Sequence, residues 1–132
     1  MSWLKNRQSD FEDFAIDSWN RLESLDQIEV ILKDSHEKPI VIFKHSTTCG
    51  TSARAKFLLE QDWNNLTHDI DFYYLDLWSF RPVSNAIAER LGVIHHSPQV
   101  IAIEKGEVIY HASHHMINVR TLNEALSQTV LQ

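Results

Sequence analysis

The residue with the most chemistry to offer is Cys49, the only cysteine in a chain of 132 residues. It follows an apolar, strand-like run over residues 40–43 and precedes a helix-like run, so it lies at a predicted strand-to-helix turn. The positive end of a helix dipole and the unpaired N–H groups there favour a thiolate over a thiol. The position therefore indicates a reactive cysteine; the plain alternative is a small buried apolar residue.

A lone cysteine also limits the kind of redox chemistry that is possible. It cannot close a disulfide within the chain, so a dithiol mechanism is excluded. Ser52 stands at the position where the second cysteine of a Cys-x-x-Cys motif would be. Any disulfide that Cys49 forms must therefore be mixed, either with a small thiol or with another protein.

Four residues near Cys49 could support its sulfur. Lys44 ends the preceding strand, and a cation close to the turn would stabilise the thiolate. Thr47, Thr48 and Ser52 carry hydroxyl groups that could donate hydrogen bonds to the sulfur. The alternatives are a solvated lysine at a strand end and ordinary turn or cap residues, and both alternatives stay open.

Composition narrows the class of protein. With 43% hydrophobic residues, the chain is long enough for one domain, predicted over residues 18–132 after an extension over residues 1–17. The net charge of −6 argues against a nucleic-acid surface. Neither a signal peptide nor an apolar segment of membrane-spanning length stands out, so a cytoplasmic protein without membrane contact is expected.

The hydrophobic periodicity predicts nine elements and an α/β fold with a mixed sheet flanked by helices. A parallel first half is followed by a C-terminal antiparallel hairpin, an order that resembles the thioredoxin fold. The strands are expected at residues 19–22, 40–44, 71–77, 99–104 and 107–111, and the helices at 24–35, 51–62, 81–91 and 118–130.

Pro98 is unusual because it stands immediately before a predicted central strand, where proline removes a ladder donor. In a thioredoxin-like fold this residue would follow a cis bond beside the active cysteine. The backbone of Ser97 would then be exposed to pair with a bound thiol compound or peptide. The sequence thus predicts a cis Ser97–Pro98 bond.

Four segments together resemble the YtxJ family of monothiol bacilliredoxins, and the likeness runs from about Trp19 to the C-terminus. The resemblance implies a thioredoxin fold whose single cysteine removes bacillithiol from S-bacillithiolated client proteins; members are also described as general stress proteins. It further implies no tightly bound cofactor, with bacillithiol or another low-molecular-weight thiol as co-substrate. The segments are His45–Cys49, Arg81–Glu89, Gly92–Gln99 and Tyr110–His114.

The same resemblance bears on further residues. Gly50 replaces the proline that commonly follows the family's cysteine, which makes the turn less rigid. Arg81 could bind the malate carboxylates of bacillithiol, although an exposed arginine at a helix start is the simpler interpretation. Ser113 and His114 follow the hairpin, where related folds meet the small thiol with a loop. His95 could tune the thiol or cap a loop.

Two other functions stay open. Cys49 and an external thiol could ligate an iron–sulfur cluster across a dimer, as in monothiol glutaredoxins. The fold could instead serve as a non-catalytic adaptor. Eight histidines do not complete a metal site of known spacing, so no intrinsic metal is expected. The client proteins and the oligomeric state are not determined by the sequence.

Overall fold

The elements follow the predicted order along the chain. The structure, a computed structural model, describes the backbone of residues 15–130 and the side chains of residues 15–128. The strands are β1 (Trp19–Arg21), β2 (Ile40–His45), β3 (Asp71–Asp76), β4 (Gln99–Glu104) and β5 (Glu107–Ser113). The helices are α1 (Asp26–Asp34), α2 (Gly50–Gln61), α3 (Arg81–Leu91) and α4 (Val119–Val130), with short 3₁₀ turns at Trp63–Asn65 and His114–Met116.

The five strands form one mixed sheet in the order β1-β3-β2-β4-β5. Strands β1, β3 and β2 are parallel, whereas β4 runs antiparallel to β2 and to β5. This confirms the predicted thioredoxin-like α/β fold. The chain leaves β2, β3 and β5 at the same edge of the sheet at which it enters β4, so the four connections there lie side by side.

Strand β2 separates two apolar cores because its side chains alternate between the faces of the sheet. Val41 and Phe43 pack with residues of α2 and α4 on one face. Ile40 and Ile42 pack with residues of α1 and α3 on the other. Every residue of β2 is buried, as expected for a central strand covered on both sides. The last two, Lys44 and His45, therefore point into opposite halves of the protein.

The turns follow the local chemistry with small differences from the predicted boundaries. The Ser97–Pro98 peptide bond is cis, as predicted. Helix α1 starts at Asp26, two residues after the predicted start, and Gln27 Oε1 accepts the backbone N–H of Ser24 at 3.0 Å. Gly92 ends α3 in the left-handed region (φ 69°), which glycine adopts without steric cost.

The predicted extension over residues 1–17 lies mostly outside the described residues, which begin at Ala15. The backbone N–H of Ala15 donates to the carboxylate of Glu60 at 2.8 Å, and Ile16 packs against the core on the α2 side. Over the described part of the chain, no helix combines the length and the apolar character needed to cross a bilayer.

Candidate functional site

Cys49 lies at the N-cap of α2, directly after the turn that leaves β2. Its backbone is extended (φ −112°, ψ 123°), and its N–H donates to the carbonyl of Ser46 at 3.2 Å. The residue is partly exposed and its thiol is free. No acidic residue occupies the first turn of α2, so the partial positive charge of the helix start is not offset there. Cys49 is therefore accessible to a disulfide in solution.

Ser52 is fully buried and ties the turn to the end of β2. Its Oγ accepts the backbone N–H of Ser46 at 2.9 Å and lies 2.7 Å from Nδ1 of His45. Thr48 Oγ1 lies 3.1 Å from Oγ of Ser46 on the exposed side of the same turn. These bonds hold the segment before Cys49. That Thr47, Thr48 or Ser52 donates to the sulfur stays a prediction.

Lys44 is completely buried on the face of the sheet opposite to α2. Its ammonium donates to the carbonyl of Ser84 at 3.2 Å and lies 3.3 Å from Nδ1 of His95. Burial lowers the pKa of Lys44 to about 8. The alternative of a solvated lysine is wrong, because the side chain packs beside α3 and the loop before Pro98. Its predicted effect on the thiolate of Cys49 stays a prediction.

The loop before β4 carries a second polar group at this edge. Gln99 is buried beside Lys44 in the antiparallel register, and its Nε2 donates to the carbonyl of Ile94 at 3.0 Å. Ser113 is the partner of Gln99 on β5, and its Oγ lies 3.5 Å from the same Nε2. Within the described part of the chain, the buried hydroxyl of Ser97 has no hydrogen-bond partner.

Basic side chains gather near the cis peptide bond. Arg81 begins α3 and is exposed. Burial is the largest cause that lowers the pKa of His95, followed by the charges of Lys44, Arg81 and His96. His96 packs edge-on against His114, with 5.5 Å between the ring centroids. Arg81, His95 and His96 thus belong to one end of the sheet.

The fold gathers the predicted site residues at that edge, on the two sides of the sheet. Cys49, Gly50 and Ser52 lie on the α2 side, whereas Lys44 lies on the α3 side. Sequence reasoning missed His45, Ser84 and Gln99, which are buried polar residues among apolar neighbours. The signal in the sequence was a polar residue among apolar ones: His45 and Gln99 at the ends of apolar strands, and Ser84 on the apolar face of a helix. Among the described side chains, no three potential metal ligands cluster.

Comparisons with known proteins agree with this geometry. The family model described as Monothiol bacilliredoxin BrxC matches residues 20–122. A solved thioredoxin-fold structure, described as a candidate oxidoreductase, is 34% identical; the match covers 82% of this chain and 93% of that one, with a TM-score of 0.70.

More distant structures show the same fold. Thioredoxin from Trypanosoma brucei brucei is 16% identical with a TM-score of 0.67, and the match covers 87% of this chain and 93% of that one. Mitochondrial thioredoxin 3 from Saccharomyces cerevisiae is 19% identical with a TM-score of 0.63, with coverage of 84% and 95%. At this level of identity the likeness concerns the fold alone.

Proposed function

Because this chain belongs to the monothiol bacilliredoxin family BrxC, we propose that it removes bacillithiol from S-bacillithiolated proteins through Cys49. The observation that carries the proposal is a single free, partly exposed cysteine at the N-cap of α2. The family supports a thiol redox role, and the nature of the adduct is the part we propose. The specific resemblance to YtxJ proteins is likewise a proposal.

The proposed reaction has two exchange steps. The thiolate of Cys49 attacks the bacillithiol sulfur of the mixed disulfide on the client; a new disulfide forms at Cys49, and the client leaves as a thiolate. A second bacillithiol thiolate then attacks the bacillithiol sulfur bound to Cys49. This step releases bacillithiol disulfide and restores the Cys49 thiolate. One disulfide enters and one leaves, because the attacking bacillithiol is oxidised as the client thiol is reduced.

The residues around Cys49 divide into two groups in this mechanism. Ser52 and His45 hold the turn, which keeps Cys49 at the helix start. Ser97, with Ser113 at the end of β5 and His114 at the start of the following 3₁₀ turn, offers contacts for the client or the small thiol. Ser113 thus belongs to the strand and not to the loop after it. Arg81 is a candidate for the malate carboxylates, supported by its place beside His95. The reaction is proposed for the cytoplasm, where low-molecular-weight thiols keep protein thiols reduced.

The test is a transfer experiment followed by intact mass. The reduced protein is mixed with a bacillithiol-modified model protein, and both masses are followed with time. We expect the adduct to move to the wild-type protein and not to the Cys49→Ser variant. If the wild-type protein takes no adduct while Cys49 still reacts with a simple disulfide, the proposed adduct is wrong and the thiol redox role remains.

A further inference from the structure

A small cleft lies between the first turns of α2 and the 3₁₀ turn that follows β5. Its volume is about 160 Å³. Its lining combines apolar and basic side chains, namely Thr51, Arg54, Leu58, His114, His115 and Ile117. Neither Arg54 nor His115 has a role in the thiol exchange proposed for Cys49.

The cleft belongs to the same edge of the sheet as the reactive cysteine. Thr51 follows Cys49 by two residues in the first turn of α2. On the other wall, the backbone N–H of His114 donates to the carbonyl of Pro98 at 3.0 Å. The cleft is therefore bounded by the helix that begins at Cys49 and by a turn bonded to the cis-proline loop.

The cleft is lined by the positively charged Arg54, although the chain carries a net charge of −6. Arg54 is exposed, and within residues 15–128 it forms no ion pair with a carboxylate. His114 and His115 face it from the 3₁₀ turn, and no Asp or Glu lines the cleft. An arginine without a carboxylate partner keeps its whole donor fork available to a ligand.

The backbone of His114 adds an independent observation. Its φ is 57°, in the left-handed region that costs a non-glycine residue of the order of 1–2 kcal/mol. Lys105 has a similar φ of 55°, but it lies beside Gly106 in the hairpin turn that joins β4 and β5. No hairpin turn explains the conformation of His114. Strained residues of this kind cluster at ligand sites.

We propose that the cleft binds the carboxylate-bearing part of the low-molecular-weight thiol that is exchanged at Cys49. The inference rests on the proposed thiol exchange and deepens it. It assigns to Arg54 the carboxylates for which Arg81, at the start of α3 on the other side of the sheet, is the alternative ligand. Arg54 binds a carboxylate through its planar donor fork, and the imidazole N–H groups of His114 and His115 add further donors. Leu58 and Ile117 pack against the carbon skeleton.

The size of the cleft supports a small occupant. Pockets for drug-sized ligands usually measure about 300–1,000 Å³, so about 160 Å³ suits one fragment of a ligand. A short dicarboxylate such as a malyl group is a fragment of this kind, and its charge is opposite to that of Arg54. An acidic side chain of the client protein is the competing occupant, and the experiment below separates the two.

The experiment measures the rate at which the reduced protein forms a mixed disulfide with two small disulfides. Bacillithiol disulfide carries carboxylates, and bis(2-hydroxyethyl) disulfide is the neutral reference. Arg54→Ala should slow the reaction with bacillithiol disulfide about tenfold, the size of one charge-assisted hydrogen bond. It should leave the reaction with the neutral disulfide within about twofold, because that disulfide has no carboxylate for Arg54 to bind.

Two variants serve as partner and control. His115→Ala should also slow the reaction with bacillithiol disulfide more than the reaction with the neutral disulfide. Arg120→Ala removes an exposed arginine of α4 that pairs with Glu124, and it should change neither rate. Equal slowing of both disulfides by Arg54→Ala would mean that Arg54 acts on the thiol and not on a ligand, which overturns the proposal.

The remaining outcomes separate this proposal from the proposed function. If Arg54→Ala and His115→Ala react like the wild type with both disulfides, the cleft is not the site, although bacillithiol transfer can still occur. If these variants lose only transfer from a bacillithiol-modified protein, the occupant is an acidic group of the client and the proposal is wrong. If the wild-type protein reacts with the neutral disulfide alone, both proposals fail.

Discussion

Nζ of Lys44 lies 3.3 Å from Nδ1 of His95. The side chain of Lys44 is completely buried. An ammonium group can only donate hydrogen bonds, so Nδ1 of His95 accepts and its proton is on Nε2. The lowered pKa of His95 agrees with a neutral ring. Lys44, which precedes the turn of Cys49, therefore contacts the loop before Pro98 and orients the imidazole ring of His95.

The first prediction concerns the pH dependence of stability. Burial lowers the pKa of Lys44 from 10.5 to about 8. Between these values the unfolded chain binds the proton and the folded protein does not, so the free energy of unfolding rises with pH, by at most about 1.4 kcal/mol per unit. Below pH 8 both states are protonated, and the penalty for burying the charge is constant.

Lys44→Met should remove this dependence. Urea unfolding of both proteins at several pH values would show the wild type gaining stability relative to the variant from pH 8 to 10.5, and a constant difference below pH 8. Lys38→Met is the control, because Lys38 lies at the surface beside Asp69 and Asp71. A constant difference between wild type and Lys44→Met over the whole range would mean that the pKa of Lys44 is not lowered.

The second prediction concerns the bond between Ser52 and His45. Ser52→Ala leaves the partly buried N–H of Ser46 and Nδ1 of His45 without this partner, so we expect a loss of about 1–3 kcal/mol in the free energy of unfolding. Thr48→Ala removes an exposed hydroxyl of the same turn and should cost less than about 0.5 kcal/mol. Chemical denaturation compares the two, and equal losses would contradict the structural role of Ser52.

The third prediction concerns the hydroxyl of Ser97, which is buried without a partner among the described residues. Ser97→Ala removes a desolvated polar group, so the free energy of unfolding should stay equal or rise by up to about 1 kcal/mol. Ser35→Ala is the matched control. The buried Ser35 hydroxyl donates to the carbonyl of Leu32 and accepts the N–H of Gly106, and its loss should destabilise by about 1–3 kcal/mol.

Thermal unfolding of the two serine variants measures this contrast. A clear loss of stability in Ser97→Ala would show that its hydroxyl is hydrogen-bonded in solution.

The fourth prediction concerns Gly50, the first residue of α2. A Cβ built there meets no atom within 4 Å, and Cys49 before it has the extended backbone that a following proline requires. Gly50→Pro should therefore stabilise the protein by about 0.4–1 kcal/mol, because it restricts the unfolded chain. Gly92→Ala should destabilise it, since Gly92 has a φ of 69°. Thermal unfolding tests both, and a destabilised Gly50→Pro would contradict the geometry at this helix start.

The order of the elements could be predicted because its signals are local. The apolar run of β2, the proline near the start of α3 and the Lys105–Gly106 turn each act over a few residues. The lone cysteine also excluded a dithiol mechanism before any fold was known. Helix ends shifted by one or two residues, because the last turn of a helix frays and its terminal residues are weakly specified by local signals.

The fold class, the cis bond before β4 and the monothiol character of Cys49 could thus be predicted from the sequence. Which polar residues meet depends on how the folded elements pack, as for Lys44 with His95 and Ser52 with His45. Period-two alternation places adjacent residues of β2 on opposite faces, but the partner on each face comes from segments 7–51 residues away in the chain. The cleft beside Arg54 depends in the same way on how α2 packs against the turn after β5, because a cleft is formed only where distant surfaces meet.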